Sequence, residues 1–380
     1  MLRRVSLILA VSLALIVVTT LGTRERRDEP TVGINTVAAA DVQVSNDQFA
    51  RYVDEWSEAE GAFDSDNFIS NETSYLHIID QLHKRVRPGG VYLGVGPDQN
   101  FTYIAQTQPS LAIILDIRRQ NMIEHLLYKA LFELSSSRAE FLGRLFSRTT
   151  PNVDVKADLP AVLRAVRLSP SPDGLYQKNL DAIKNLLISR HDLELTEGDL
   201  LRLDYVYRTF TREGPDLRFS SIGRGNASQY PTYETLMLET DTNGKLQNYL
   251  ATDELFQWMK RFETENRLVP IVADFAGAQA FKTVTNFLRK SGLQVSTFYT
   301  SNVEFYLFGQ PEWDAYMNNV RTIPATPDAV FIRAYFPTYG LTHPLNVPGH
   351  RSTTLVHEFA PFVADYIGRR ITTYWDVVNR

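Results

Sequence analysis

Apolar positions along this chain change period several times, and each change marks an element. Short, nearly uninterrupted apolar runs occur at Val91–Gly94, Leu111–Asp116, Leu268–Asp274, Leu293–Tyr299 and Ala329–Ala334. Runs of that length bounded by turn residues predict strands buried on both faces. Between them the apolar residues take helical spacing. Phe49, Tyr52, Val53 and Trp56 share one face of a helix predicted over Asn46–Glu60, and Tyr75, Ile78, Ile79 and Leu82 share a face of the next, which Pro88-Gly89-Gly90 ends. Further helices are predicted after Pro97 and over Arg119–Leu134, Arg138–Phe146, Leu175–Ser189, Glu197–Thr211, Asp253–Asn266, Gln279–Lys290 and Trp313–Val320. Thr196 with Asp199 forms a capping pattern for one of them. Residues 149–172 are proline-rich and read as irregular, 213–250 as loop with a short strand near Leu217–Ile222, and Ser301–Glu304 as a polar turn.

Strands alternating with helices predict an α/β fold: a Rossmann-like, mostly parallel sheet with helices on both faces, plus a largely helical insertion and an N-terminal membrane segment. The expected divisions are a signal-anchor or signal peptide at 1–22, a tether and leading helix at 23–62, the first part of the core at 63–135, the insertion at 136–266, and the second part of the core with a C-terminal extension at 267–380. The apolar run from Val5 to Gly22 follows Arg3-Arg4 and precedes Arg24, Arg26 and Arg27. Its length of about 18 residues suits a spanning helix or a secretory signal. The expectation is a membrane-anchored or exported protein of the cell envelope. Sidedness stays open, because the flanking arginines differ by only one between the two ends.

Composition narrows the chemistry. A net charge of −5 argues against broad nucleic-acid binding, so no nucleic-acid partner is expected. The absence of cysteine excludes disulfides, thiolate nucleophiles and cysteine metal sites. His343, His350 and His357 recur every seven residues, but not with the i,i+4 spacing of a helical zinc pair, and no metal is expected.

The richest stretch is GGVYLGVGPDQNFTYIAQTQPSLAIILDIRRQN, residues 89–121. It reads as strand, glycine turn, helix, strand and a terminal acid. Gly94 and Gly96 permit close backbone approach by a ligand. Asp116 follows Gly94 by about 22 residues, near the spacing of a ribose-binding carboxylate. The alternative is a tight strand–helix turn with Asp116 paired to Arg118 or Arg119. Asp98 sets negative charge where a pyrophosphate would lie, so a cationic or zwitterionic ligand such as S-adenosylmethionine suits the turn better than a dinucleotide. Asn100 stands near the place of the third fingerprint glycine.

The order helix, GGVYLGVGP, helix, acid-ended strand resembles the class I S-adenosylmethionine-dependent methyltransferases. The fuller set SNETSYL (70–76), GVGPDQNF (94–101), DIRRQN (116–121), RAEFL (138–142), ADFAG (273–277) and SNVEFYLF (301–308) resembles an uncharacterised bacterial family with a methyltransferase-like core. The resemblance implies a cofactor-binding set of Gly94, Gly96, Asp98, Asn100, Asp116 and Asp274, with Asp116 on ribose and Asp274 near adenine. It implies that the Ser301–Glu304 turn faces the transferring methyl. Glu304 or Glu72 would then be the base, with Asn302 and Asn71 orienting the acceptor. The same Ser and Asn triplets also suit helix caps and Asx-turns. Departures are the missing third glycine and the missing acid before the turn, where Tyr92 and Leu93 stand. The functional expectation is a methyltransferase-like protein of unknown substrate. The alternative is a membrane-tethered, non-catalytic protein that binds a nucleotide-like ligand or an envelope partner.

Overall fold

The computed structural model describes residues 42–221, 227–337 and 340–380. Six strands, β1 (Val91–Gly94), β2 (Leu111–Asp116), β3 (Leu268–Val272), β4 (Val295–Ser301), β5 (Ala325–Tyr335) and β6 (Thr353–Glu358), form one sheet in the order β3-β2-β1-β4-β5-β6. The first five run parallel, and β6 is antiparallel to β5. Every residue of β1, β2 and β3 is buried, which is why these strands read as continuous apolar runs.

The helices follow in chain order as α1 (Asn46–Glu55), α2 (Ile79–Arg85), α3 (Gln99–Thr107), α4 (Arg119–Leu134), α5 (Arg138–Leu145), α6 (Leu159–Leu168), α7 (Leu175–Asn185) and α8 (Glu197–Glu213). Then come α9 (Tyr233–Met237), α10 (Asp253–Thr264), α11 (Ala280–Lys290), α12 (Val303–Leu307), α13 (Glu312–Val320), α14 (Phe359–Ile367) and α15 (Tyr374–Val378). Residues between α4 and β3 are largely helical, and Thr196 caps α8 through a reciprocal box with Asp199.

Several expectations change. The segment 149–172 contains α6, because Asp158 caps it and Pro160 sits in its first turn, where the missing N–H costs no hydrogen bond. The strand near Leu217 reduces to a single bridge, Arg218 to Thr232. The polar turn at Ser301–Glu304 runs into helix α12. In the C-terminal extension, residues 353–358 supply the antiparallel edge. The apolar run 5–22 and most of the tether lie outside the described residues. Among the described residues no helix is long and apolar enough to cross a membrane.

Helix α1 stops at Glu55, short of the expected Glu60, and the chain then runs across the C-terminal ends of the strands. Glu58 N–H donates to Val272 O at the end of β3, and Gly61 N–H donates to Ile117 O just past β2. The Phe63 ring packs 5.7 Å from that of Tyr306, in the helix after β4. This leading segment therefore lies over the rim where β1 and β4 diverge, the switch point at which open α/β sheets place ligands.

Candidate functional site

The glycine turn is held from inside. Asn100, fully buried at the start of α3, donates through Nδ2 to the carbonyls of Val95 (2.9 Å), Gly96 (3.1 Å) and Pro97 (2.8 Å). Its Oδ1 accepts the Tyr92 hydroxyl at 2.8 Å. A Cβ on Gly94 would lie 2.1 Å from that Oδ1, so the glycine is demanded by Asn100 and Tyr92 themselves. Gly96 has φ +79° and open space beside it. Asp98 is buried, accepts the Tyr249 hydroxyl at 3.1 Å, and is pushed up to about 7 by burial.

Asp116 stands at the end of β2, and its carboxylate is taken by Arg118. The guanidinium donates from Nε to Oδ1 (2.9 Å) and from Nη2 to Oδ2 (2.7 Å), and the Arg118 N–H donates to Oδ1 as well (2.9 Å). Both residues are buried. Arg119 turns away to Asp199, with bonds of 2.6 and 2.8 Å. Asp274, half-buried after β3, caps its own turn by accepting Ala276 N–H (2.9 Å). Its N–H donates to the Glu58 carboxylate at 2.7 Å.

The four residues read as chemical form two separate groups. Glu72 is buried at the rim between β1 and β4. Its Oε1 accepts the hydroxyls of Tyr299 (2.8 Å) and Ser301 (2.5 Å), and its Oε2 accepts Gln99 Nε2 (2.8 Å). Burial raises its pKa, opposed by the bonds from Ser301, Gln99 and Tyr299. Ser301 adopts φ +52°, next to a register shift in the β4–β5 pairing between Tyr299 and Ser301. A non-glycine residue in that region beside a strand irregularity marks a place where side chains are re-aimed at a backbone cost. Asn71 and Asn302 stand half-buried beside this centre in the chain. Ser70 does form a local turn, accepting Glu72 N–H at 3.1 Å.

Glu304 belongs to the second group. It binds Arg333 on β5 through Nε (2.5 Å) and Nη2 (2.9 Å), and accepts the Tyr316 hydroxyl at 2.9 Å. Arg333 Nη1 donates to His357 Nδ1 at 3.1 Å. Burial and the charge of Arg333 hold that imidazole neutral, its pKa pushed down to about 2. Every Glu304 oxygen is thus engaged inside the fold.

The three histidines do not converge. His343 meets Val378 O, His350 meets the Thr73 hydroxyl, and His357 meets Arg333. No group of three or more His, Asp or Glu is placed to hold a metal ion among the described residues. Two surface cavities of about 270 and 670 Å³ open at the opposite, N-terminal edge of the sheet, around Arg85, Arg87, Asp328 and Glu358.

Sequence reasoning missed Gln99, Tyr299 and Ser301 as partners of Glu72. It also missed a stripe of buried polar residues on α4. Polar residues at i, i+3, i+4 and i+7 of one helix are a readable signal, and Asn121, Glu124, His125 and Tyr128 supply it.

The residues that would grip S-adenosylmethionine do not fit the task as arranged. Three of the carboxylate contacts available on Asp116 go to Arg118, so a ribose diol finds no free pair of acceptors. The Asp274 N–H beside the expected adenine position is already donated to Glu58. A family model described as a domain of unknown function, DUF7790, matches residues 67–156 and 224–365. The unmatched stretch between them holds α6, α7 and α8. No curated protein matches the chain.

Proposed function

Since the chain belongs to the DUF7790 family, a family of unknown function, we propose its role from the rim: it is a small-molecule-binding protein on a Rossmann-like, methyltransferase-like core, with the cofactor grip of that fold closed by its own side chains. The observation that carries this reading is the bidentate Asp116–Arg118 pair, reinforced by Glu58 on Asp274. Strand order supports the core assignment, with β1 and β4 flanking the switch point and a reversed strand beside β5. The Glu72 centre supports binding at the rim. It holds a carboxylate under three donors just below half-buried Ser301 and Asn302, a rigid arrangement suited to reading a polar ligand. The apolar run 5–22 would tether or export this module, so its ligand would be met at an envelope surface.

Calorimetry on the full-length protein tests the reading. S-adenosylmethionine should give no saturable heat at about 1 mM. A small-molecule extract should raise the melting temperature of the wild type, and Ser301→Ala with Asn302→Ala should abolish the rise. Micromolar S-adenosylmethionine binding that is lost in Asp116→Ala would overturn it. That outcome would favour the second reading, a methyltransferase using Glu72 as base, for which the strained Ser301 and buried Glu72 are the supporting observations.

A further inference from the structure

Asn121, Glu124, His125 and Tyr128 follow one another at i, i+3, i+4 and i+7 on α4, so they share one face. All four are buried to within 1% of complete exclusion. Both amide atoms of Asn121, both carboxyl oxygens of Glu124, Nδ1 of His125 and the Tyr128 hydroxyl lack a hydrogen-bond partner. The face meets the glycine turn, because His125 Nε2 donates to Gly96 O at 2.8 Å. That bond places the proton on Nε2 and leaves Nδ1 a bare acceptor.

The turn leaves room beside Gly96. Gly96 is buried, yet a Cβ built on it would meet nothing within 4 Å. Asp98, on the same turn, offers a second buried carboxyl whose one side-chain bond comes from Tyr249. Glu124 lies within electrostatic reach of Asp98, and Tyr128 within reach of both. The charge of Arg118 reaches Glu124, but its hydrogen bonds go to both carboxylate oxygens of Asp116. Acceptor atoms outnumber donors by four to three with Glu124 ionised: two oxygens on Glu124, Oδ1 of Asn121 and Nδ1 of His125, against the two N–H of Asn121 Nδ2 and the Tyr128 hydroxyl. Each unmet buried group costs about 1–3 kcal/mol. Burial raises the Glu124 pKa well above its ordinary value, and a bound cation would supply the donors and the positive charge that favour the carboxylate over the acid.

We propose that the space between the Gly96 turn and α4 is a binding site for an organic ammonium group, with Glu124 as its counter-charge and Asn121 and His125 Nδ1 as further acceptors. This site is separate from the rim centre at Glu72 and does not rest on the reading given above for it. An ammonium supplies up to three donors and one charge, matching the surplus of acceptors. The lack of a metal-type cluster among the described residues favours it over a divalent ion.

Thermal unfolding of the full-length protein tests the site, with methylammonium chloride as the probe and potassium chloride at equal ionic strength as the comparison. Methylammonium should raise the melting temperature saturably and potassium should not. Glu124→Gln should weaken the methylammonium response by about tenfold or more. Its own melting temperature without probe should be no lower than that of the wild type, because an uncompensated carboxyl is removed. Asp98→Asn, which keeps its size, provides a second variant and should also weaken the response. Equal shifts with both salts, or an undiminished response in both variants, would overturn the proposal. So would a crystal grown with methylammonium in which only ordered waters meet Glu124 and Asn121.

Discussion

Replacing Glu304 separates a structural ion pair from a catalytic base. The Arg333 side chain is about 1% exposed and donates two bonds to Glu304. It sits in the corner formed by two aromatic rings set at 70° to each other, 4.1 Å from the Phe331 centroid and 4.0 Å from that of Phe362. In Glu304→Gln the charge is lost and an amide NH₂ must face the guanidinium donors. Arg333 would then be a buried cation without a carboxylate, facing only the neutral Gln carbonyl and neutral His357. Removing one member of such a pair costs about 3–5 kcal/mol. That is a large part of the roughly 5–15 kcal/mol by which domains are stable. Urea unfolding followed by tryptophan fluorescence reads the loss as a lower midpoint at unchanged slope. The double variant Glu304→Leu with Arg333→Met removes both charges and keeps apolar volume, so it should cost less than either single change. A Glu304→Gln midpoint within about 1 kcal/mol of the wild type, or additive costs in the double variant, would refute the argument.

Gly94→Ala should destabilise the protein by about 1–3 kcal/mol, because the new methyl would meet Asn100 Oδ1 at 2.1 Å and the Tyr92 ring at 2.6 Å; thermal unfolding measures it, and a neutral result would show that the turn yields. Glu263 is buried with both carboxyl oxygens unpartnered, and burial pushes its pKa up to about 8. An acid raised on folding holds its proton in the folded state after the unfolded chain has released it, so stability falls as pH rises from about 4.5 to about 8. Urea midpoints of the wild type should therefore show a loss of about 2–3 kcal/mol between about pH 6 and about pH 9 that Glu263→Gln lacks. Identical pH profiles for the two proteins would remove the claim.

Five strands were legible because each is sealed on both faces, and sealing leaves an apolar run that survives without context. The sixth strand was not, since Thr353-Thr354-Leu355-Val356-His357-Glu358 shows neither an apolar run nor an alternation and gains its identity from pairing with β5. In α6 the proline that argues against a helix by composition belongs to its first turn. At the site, the position of Asp116 could be read from strand and spacing. Its partner could only be narrowed to Arg118 or Arg119, because adjacent residues on a turn diverge by packing; the fold sends the first to Asp116 and the second to Asp199, on α8. Glu304 gave no local hint of its ion pair, as Arg333 lies on the neighbouring strand, 29 residues later. Glu72 meets Ser301 at a separation of 229 residues, beyond the reach of any spacing rule.

The path of residues 57–63 over the strand ends has a mechanical consequence. Whatever pulls on the chain ahead of α1 pulls on a ribbon fastened by Glu58 to β3 and by Gly61 to the end of β2. Tension would first load the seat of α1, where Asn266 Nδ2 holds Val44 O and Asn46 Nδ2 meets Arg190 O, and would reach the bonds at the edge of the rim only after that seat gives way. A copy held by its N-terminus would thus have α1 as a shock absorber between the pull and the rim; single-molecule pulling from the N-terminus should show a small early yield that Asn266→Ala lowers.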